Sequence, residues 1–513
     1  MGQVSKSRFA NSAKNMAFSL LAQMVTIVLN IIGRRVFVQV LNAQYLGVST
    51  AFSSILTVLG LAELGVGSAI IYSLYKPIAD NDREKIKSLM SLYRKIYCGV
   101  GGTILVAGAA MTPFLDVFVE EMPQIPGIQW IYLMLVVQSG STYFFSYKTS
   151  FLNATQQSYI NRKYEMAASV AQISAQIAIL LLWGNYYLYL AIGIVCPFLK
   201  NIFATRQVDR MYPFLKGKAQ KLSREETVKI RKNVLALFLY KVCNTIVVTI
   251  DTLLISRMFG VIQVAVYSNY HMISSYSDKL FIQGLGAITP SIGNLMTTDD
   301  VEKKRQFFSA LQMIYYWLSS YLAVGMVVLF NPLIELWLGE EYLFSQSVVI
   351  ALVISNTLTN FQRPCSLMRD ANGLFWHGKL RPLVMTIINI VASIWLGVVM
   401  GVIGVVIGTC ISKLLTFVWF DPYVVYKHTL HKGLKQYFIK YALYWGLLVV
   451  LTVACQTLYD WIGLSGIPGL IVGFVSVSVV VNGVFLLIHY KTKEFDYLKN
   501  MISNLLRKRR DGR

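Results

Sequence analysis

The sequence predicts an all-α integral membrane protein with about 14 transmembrane helices, arranged as two parallel-repeat six-helix lobes followed by two C-terminal helices. The chain has 513 residues, of which 55% are apolar and only 14% are charged, and its mean hydropathy is +0.55. Because one bilayer span needs about 20 apolar residues, fourteen spans account for roughly 280 residues. The longest polar connector, residues 206–233, is too short to form a catalytic core, so we do not expect an enzyme.

Apolar windows of about 19 residues locate the spans in order along the chain. They predict an N-terminal six-helix lobe over 1–205, a basic cytoplasmic linker over 206–233, a C-terminal six-helix lobe over 234–426, two additional transmembrane helices over 427–490, and a basic cytoplasmic tail over 491–513. The spans are expected near residues 16–38, 46–74, 96–115, 128–148, 164–183, 186–205, 234–257, 262–290, 307–330, 346–366, 382–400, 402–425, 437–456 and 467–489.

The net charge of +22 is distributed unevenly between the two sides of the predicted membrane. The outer loops are acidic, with Asp116, Glu120 and Glu340 among their residues. This positive-inside pattern places both termini in the cytoplasm and the basic connectors beside anionic lipid headgroups. Since topology accounts for the charge, nucleic acid is not expected as a partner. The inner connectors carry nearly all the cations, among them Arg94, Lys163, Lys303, Arg369, Lys379, Arg381 and Arg507.

An internal repeat organises the two lobes, because residues near 40–200 recur about 218 positions later. Asp82 of one inner loop matches Asp300 of another, and Gln172 in the fifth span matches Asn389 in the eleventh. Each repeat contains six spans, an even number, so both enter the membrane in the same sense. Parallel repeats of this kind place a substrate site between them, near the middle of the bilayer.

Polar side chains recur at steps of three and four residues within several spans, which puts them on one helix face. Such faces avoid lipid and point at protein or water. Single small polar residues are explained by interhelical hydrogen bonds, whereas stripes that include full charges favour a water-filled cavity. Stripes in the first, eighth and tenth spans contain Gln23, Asn30 and Arg34; Ser268, His271, Ser275, Asp278 and Lys279; and Asn356, Asn360 and Arg363.

The cavity is predicted to be cationic, since basic residues in or beside the spans outnumber Glu63, Asp251 and Asp278. Even if some of them pair or reach the interface, an excess of positive charge remains. A desolvated cationic pocket selects an anion, and arginine suits bidentate contact with phosphate. A cavity for cationic drugs would show the reverse balance. The basic residues are Arg34, Arg35, Lys148, Lys200, Lys241, Arg257, Lys279, Arg363 and Lys413.

Two segments resemble bacterial polysaccharide flippases of the Wzx type: LNAQYLGVSTAFSSILTVLGLAELGVGSAI, from Leu41 to Ile70, and NPLIELWLGEEY, from Asn331 to Tyr342. These flippases belong to the multidrug, oligosaccharidyl-lipid and polysaccharide exporter superfamily, and the resemblance covers essentially the whole chain. It implies alternating-access translocation of undecaprenyl-pyrophosphate-linked oligosaccharide to the outer leaflet, for capsule, exopolysaccharide or O-antigen export.

The resemblance also implies a location, partners and an energy source. The protein is expected in the bacterial cytoplasmic membrane, beside glycosyltransferases and a polysaccharide polymerase. No cofactor is expected, and movement is expected to be coupled to a proton or sodium gradient.

Site residues follow from the resemblance and from the stripes. Arg34 and Arg35 match the basic position in the first span, and Lys279 and Arg363 are counterparts by span and sign, so these four are expected to bind the anionic head group. Glu63, Asp251 and Asp278 are candidates for a coupling-ion site or for fixed salt bridges, because intramembrane carboxylates are costly otherwise. The cavity is expected to be lined by Gln23, Asn30, Lys200, Lys413, Asn356 and Asn360.

Other functions stay open at this point. A drug- or metabolite-exporting antiporter of the same superfamily would need a cavity of different charge. A flippase for the peptidoglycan precursor would meet the same head-group chemistry. A membrane glycosyltransferase or polymerase would need a catalytic carboxylate pair beside an extended soluble segment, which the sequence lacks.

Overall fold

The computed structural model describes the backbone of residues 2–500, apart from 64–65, 121, 156, 218, 221, 223, 287–299, 373, 375–377 and 379. Side chains are described from residue 23 onward, apart from those positions and 62–63, 66, 68–70, 72, 158, 224–241, 243–244, 248 and 280–286. Throughout this part of the chain the secondary structure is helical, without strands. The predicted all-α fold class is therefore confirmed.

Fourteen α-helices follow one another along the described chain. Nine stretches among them are long and apolar enough to cross a membrane. Short 3-10 turns lie at Gly60–Glu63, Thr112–Val117, Pro213–Lys216 and Glu340–Tyr342. The helices are α1 (Gly2–Leu59), α2 (Val66–Ala79), α3 (Arg83–Ala110), α4 (Ile128–Ala154), α5 (Ser158–Trp183), α6 (Tyr186–Met211), α7 (Arg224–Gly286), α8 (Val301–Leu338), α9 (Gln346–Ala371), α10 (Arg381–Met400), α11 (Val402–Leu415), α12 (Phe417–Val425), α13 (Lys435–Ile462) and α14 (Gly466–His489).

The two longest helices, α1 and α7, are each broken by a kink between two predicted spans. Asn42 has φ 71° and ψ 177°, and Gly260 has φ 79° and ψ 172°. Positive φ suits glycine, and asparagine tolerates it because its short polar side chain can bond locally; the Asn42 Oδ1 accepts the Gln44 N–H at 2.9 Å. The kinks lie about 218 positions apart, which is the repeat offset read from the sequence.

The first turns of α3 and α8 repeat the same capping geometry. The Asp82 Oδ1 accepts the backbone N–H of Lys85 at 2.9 Å, and the Asp300 Oδ1 accepts that of Lys303 at 3.0 Å. A carboxylate at this position satisfies a free N–H and complements the helix dipole. Kinks and caps thus recur together at the predicted spacing, which supports a duplication.

In two predicted spans the structure has two α-helices in place of one continuous helix. The segment predicted as one span over 46–74 contains the end of α1, the turn Gly60–Glu63 and the start of α2. The segment predicted over 402–425 breaks between α11 and α12 at Thr416, whose φ and ψ are −125° and −65°. Hydropathy alone does not detect such breaks, because they leave the apolar content unchanged.

The chain divides into two compact units, residues 1–268 and 269–513, each with its own core. In unit 1, Tyr93 of α3 and Phe151 of α4 lie in a cluster of buried side chains. In unit 2, Tyr316 of α8 and Phe361 of α9 lie in another, to which α13 contributes Tyr437. The first of the two additional C-terminal helices is therefore part of the unit 2 core. The predicted boundaries of lobes, linker and tail stay a prediction.

Prolines inside two helices leave carbonyls that neighbouring helices satisfy. Pro197 in α6 has no N–H for the Gly193 carbonyl four residues earlier, and the Gln138 side chain of α4 donates to that oxygen at 2.9 Å. In unit 2, Pro422 of α12 likewise frees the Val418 carbonyl, and Gln362 of α9 donates to it at 3.0 Å. An unpaired carbonyl costs free energy in hydrocarbon. Each glutamine therefore binds its own helix to the neighbouring helix, at the carbonyl that the proline leaves without a partner.

Replacement of Gln138 by leucine is expected to reduce the free energy of unfolding in detergent by about 1–3 kcal/mol, because it orphans the Gly193 carbonyl. In the Pro197→Ala protein, the new alanine N–H can bond the Gly193 carbonyl itself, so Gln138→Leu is expected to cost less there than in the wild-type protein. Thermal unfolding of the two single variants and the double variant measures this difference. Equal effects of Gln138→Leu in both backgrounds would contradict this assignment.

Candidate functional site

A hydrogen-bonded chain of polar residues joins α7 to α9 in unit 2. The Arg363 Nε donates to the Asn360 Oδ1 at 2.6 Å, and the Asn360 Nδ2 donates to the Asp278 Oδ1 at 3.0 Å. Asn360 is only 2% exposed, and its Nδ2 also lies 3.5 Å from the Asn356 Oδ1. The amide therefore connects the guanidinium to the carboxylate while holding both in fixed orientations.

Two lysines belong to the same region of unit 2. The Lys413 Nζ of α11 donates to the Ser355 carbonyl at 2.8 Å and to the Ser355 Oγ at 2.9 Å. Lys279 is exposed, and its ammonium lies 5.4 Å from the centre of the Tyr276 ring. Neutral partners of this kind stabilise a lysine without cancelling its charge.

His271 shows that these groups converge. Its imidazole interacts electrostatically with Asp278, Lys279 and Lys413, and its Nδ1 lies 3.4 Å from the Ser275 Oγ. Three cations, with Arg363 included, therefore share this region with the Asp278 carboxylate. The arrangement is suited to holding an anion, since Arg363 and both lysines bear hydrogen-bond donors.

Six of the predicted site residues are thus gathered in unit 2: Asp278, Lys279, Asn356, Asn360, Arg363 and Lys413. Two further residues, His271 and Ser355, were not among the predicted site residues, although His271 was placed on the polar stripe of the eighth span. His271 lies on the same helical stripe as Asp278, about two turns earlier, so the periodicity already contained that signal. Ser355 accepts hydrogen bonds from Lys413 through both its backbone carbonyl and its Oγ, and such a contact between two helices leaves no periodic signal within either one.

In unit 1, Arg34 has a defined polar partner on α7. Its Nη1 donates to the Ser268 Oγ at 3.2 Å, and it interacts electrostatically with Tyr189 of α6. Asn30, one turn earlier on α1, donates to the Thr26 carbonyl of its own helix at 2.7 Å. Arg34 therefore connects the first helix to the seventh, whereas the amide group of Asn30 is satisfied locally.

The remaining predicted residues of unit 1 differ in burial. Arg35 is exposed and Gln23 is half-buried. Lys200 is half-buried and interacts electrostatically with Glu165, and Asp251 is buried, with 6% exposure. The side chains of Glu63 and Lys241 lie outside the described residues. Substrate binding and ion coupling by all these residues stay predictions.

Lys148 is held in an ion pair. Its ammonium lies 2.7 and 2.8 Å from the two carboxylate oxygens of Asp209, and both side chains are 16% exposed. Asp209 belongs to α6, which extends to Met211, beyond the predicted end of the sixth span. This pair removes Lys148 from the charge available to a ligand.

A second charged cluster in unit 2 is structural. Arg369 and Arg381 were predicted to lie in an inner connector, but the structure places them in α9 and α10 with 4% and 9% exposure. Each has an Nη1 that lies 2.7 Å from the Oδ1 of fully buried Asp421. The Ser366 hydroxyl donates to the other carboxylate oxygen at 2.9 Å. The cluster joins α9, α10 and α12.

Comparison with known proteins identifies the fold. No protein-family model matches the sequence, and no curated protein matches it. The lipid II flippase MurJ, in an inward closed conformation, superposes with a TM-score of 0.65 and 13% identity, over 93% of this chain and 99% of that chain.

Two transporters described as belonging to the MOP superfamily also superpose. An inward-facing multidrug resistance MATE family transporter gives a TM-score of 0.61 at 16% identity, over 80% of this chain and 98% of its own. A transporter from Pyrococcus furiosus, described as having a binding pocket of reverse polarity that suggests a different function, gives 0.54 at 16% identity, over 82% and 96%. The chain has the fold that these proteins share.

Asp421→Asn is expected to lower the free energy of unfolding by about 3–5 kcal/mol, because two buried guanidinium groups lose their shared counter-charge. Asp370→Asn is the matched control: Asp370 contacts the same Arg369 at 2.8 Å but is 45% exposed, so its loss is expected to cost less than about 1 kcal/mol. Thermal unfolding in detergent compares the two variants. Similar losses of stability would mean that Asp421 does not hold the cluster together.

Proposed function

We propose that this protein translocates undecaprenyl-pyrophosphate-linked oligosaccharide repeat units from the inner to the outer leaflet of the bacterial cytoplasmic membrane. Export of capsule, exopolysaccharide or O-antigen units, beside glycosyltransferases and a polymerase, is the setting that we infer. The observation that carries the proposal is the cationic region of unit 2, where Lys279, Arg363 and Lys413 accompany one carboxylate, on a fold shared with a lipid II flippase.

The chemistry of this region suits a pyrophosphate head group. Arg363 uses its Nε to bond Asn360, so the terminal guanidinium nitrogens can donate to phosphate oxygens. Two lysines add positive charge, and their flexible ammonium groups do not require the planar two-point geometry of a guanidinium. The lipid tail needs no site of its own in this scheme, because it stays in the hydrocarbon while the head group crosses.

A drug-exporting antiporter is the weaker alternative. MATE transporters share the fold, but a cavity for organic cations is expected to carry the opposite charge. The description of the Pyrococcus furiosus protein connects reversed pocket polarity with a different function within this fold. The polarity of the unit 2 region therefore favours an anionic substrate.

A flippase for the peptidoglycan precursor is the second candidate. The likeness to MurJ, which covers 93% of this chain, favours it. Its substrate carries the same undecaprenyl pyrophosphate, so the cationic region would bind either molecule. Only the sugars distinguish the two functions.

Transport is tested with proteoliposomes that contain a fluorescent undecaprenyl-pyrophosphate oligosaccharide, lipid II or a soluble organic cation. We expect protein-dependent movement of the oligosaccharide lipid. Arg363→Gln and Arg34→Ala are each expected to lower the rate at subsaturating substrate about ten-fold or more, because each removes a charge-assisted contact.

The control is Arg257→Gln, which removes one charge from an exposed residue at the predicted outer edge of a span and is expected to retain the rate. Full transport by the Arg34→Ala and Arg363→Gln proteins would reject the head-group assignment. Movement of the organic cation alone would reject the proposed substrate class.

Coupling to a proton or sodium gradient is proposed to involve Asp278, whose carboxylate contacts Asn360. Asp278→Asn is expected to leave passive exchange of the substrate measurable and to abolish its acceleration by the gradient, because the amide cannot bind a cation by charge. Initial rates with and without each gradient measure this. Asp370→Asn, an exposed carboxylate at the end of α9, is the control; acceleration that survives in Asp278→Asn would exclude this site.

A further inference from the structure

A groove outside the cationic region lies where the start of α8, the start of α13 and the end of α14 meet, which is their predicted cytoplasmic end. It has a volume of about 380 Å³, and its apolar wall is formed by Met313, Leu443, Leu447 and Ile488. Leu443 is 67% exposed and Ile488 is 50% exposed, so the groove opens to the lipid side of these helices. From Lys440 to Leu447, α13 rises about 10 Å, which is enough to accompany the first part of an acyl chain.

A polar chamber of about 560 Å³ adjoins the apolar groove. The two share Ser309, Lys440 and Glu494 in their walls, so they form one continuous depression. The chamber is further lined by the cations Arg305, Lys432 and Lys493 and by the carboxylates Glu302 and Asp496. An apolar groove that continues into a charged chamber in which the cations exceed the carboxylates by one combines the two surfaces that a charged lipid needs.

The contacts of the chamber identify which cations can meet a ligand. Arg305 donates to the Leu430 and His431 carbonyls at 2.8 and 2.9 Å. Lys440 is paired with Glu494 at 3.0 Å. Lys432 and Lys493 are exposed at the mouth. Arg305 is also paired with Glu302 at 3.3 Å, so Arg305 and Lys440 shape the chamber. Lys432 and Lys493 outnumber the remaining carboxylate of the lining, Asp496, by one and supply the charge for an anion.

We infer that this depression binds an anionic diacyl phospholipid of the inner leaflet, with its phosphodiester at Lys432 and Lys493 and one acyl chain along Leu443, Leu447 and Ile488. The charge of the C-terminal segment supports an anionic ligand, because residues 491–513 contain eight Lys or Arg and three Asp or Glu. Basic residues next to a membrane attract anionic lipids. A free phosphate would leave the apolar groove unused.

Such a lipid would lie in the depression formed by α8 and the last two helices, within unit 2. The inference is independent of the transported substrate, since none of its residues belongs to the Asp278–Asn360–Arg363 chain. It also gives α13 and α14 a role in lipid binding besides packing.

Native mass spectrometry of the purified full chain tests the site, with phosphatidylglycerol and phosphatidylcholine of identical acyl chains as probes. One phosphatidylglycerol is expected to stay bound with an affinity about ten-fold or more above that of phosphatidylcholine. The charge variant Lys432→Gln/Lys493→Gln and the groove-filling variant Leu447→Trp are each expected to remove this preference or the bound lipid.

The matched control is Lys95→Gln/Lys304→Gln, which removes the same charge from residues outside both walls and is expected to retain the lipid. Equal retention of the two phospholipids, or unchanged binding in both site variants, would overturn the inference. Displacement of phosphatidylglycerol by undecaprenyl diphosphate would also overturn it, because the depression would then belong to a polyprenyl lipid. Failure of transport in proteoliposomes would not affect these outcomes.

Discussion

A backbone carbonyl or a charge that a helix carries into hydrocarbon needs a partner within the protein, because hydrocarbon offers none. The structure supplies such partners at the places where the helices are least regular. Gln138 and Gln362 bond the carbonyls that Pro197 and Pro422 leave free. Asp421 joins three helices because it neutralises Arg369 and Arg381. The side chains that bond free backbone carbonyls or neutralise buried charges thus also connect the helices that pack together.

Much of the fold could be predicted from the sequence, because hydropathy and positive charge respond directly to the bilayer. The kinks at Asn42 and Gly260 lie between predicted spans, and their separation matches the repeat offset. The break at Thr416 could not be predicted, because the apolar composition continues through it. The length of α6 could not be predicted either, because the apolar residues stop before the helix ends. The burial of Arg369 and Arg381 was missed because their partner, Asp421, lies about 40–50 residues away along the chain.

The candidate site was predicted only in part, for a similar reason. Periodicity groups residues on one helix, so it found Asp278 with Lys279 and Asn360 with Arg363. It could not show that Asn360 stands between Arg363 and Asp278, because that arrangement joins two helices. The difference matters chemically: a direct ion pair would satisfy both charges, whereas an intervening amide orients the guanidinium and leaves its terminal nitrogens for another acceptor.

The two charged clusters of unit 2 also differ in how they respond to membrane voltage. Arg369 and Arg381 are balanced by Asp421 and Asp370, so no net charge resides there. Lys279, Arg363 and Lys413 exceed Asp278 by two charges, and moving one unit charge through the full field requires about 2.3 kcal/mol per 100 mV. A bound dianion cancels that excess. Moving the site through the membrane field therefore requires electrical work when the site is empty and carries two excess positive charges, and little when a dianion occupies it.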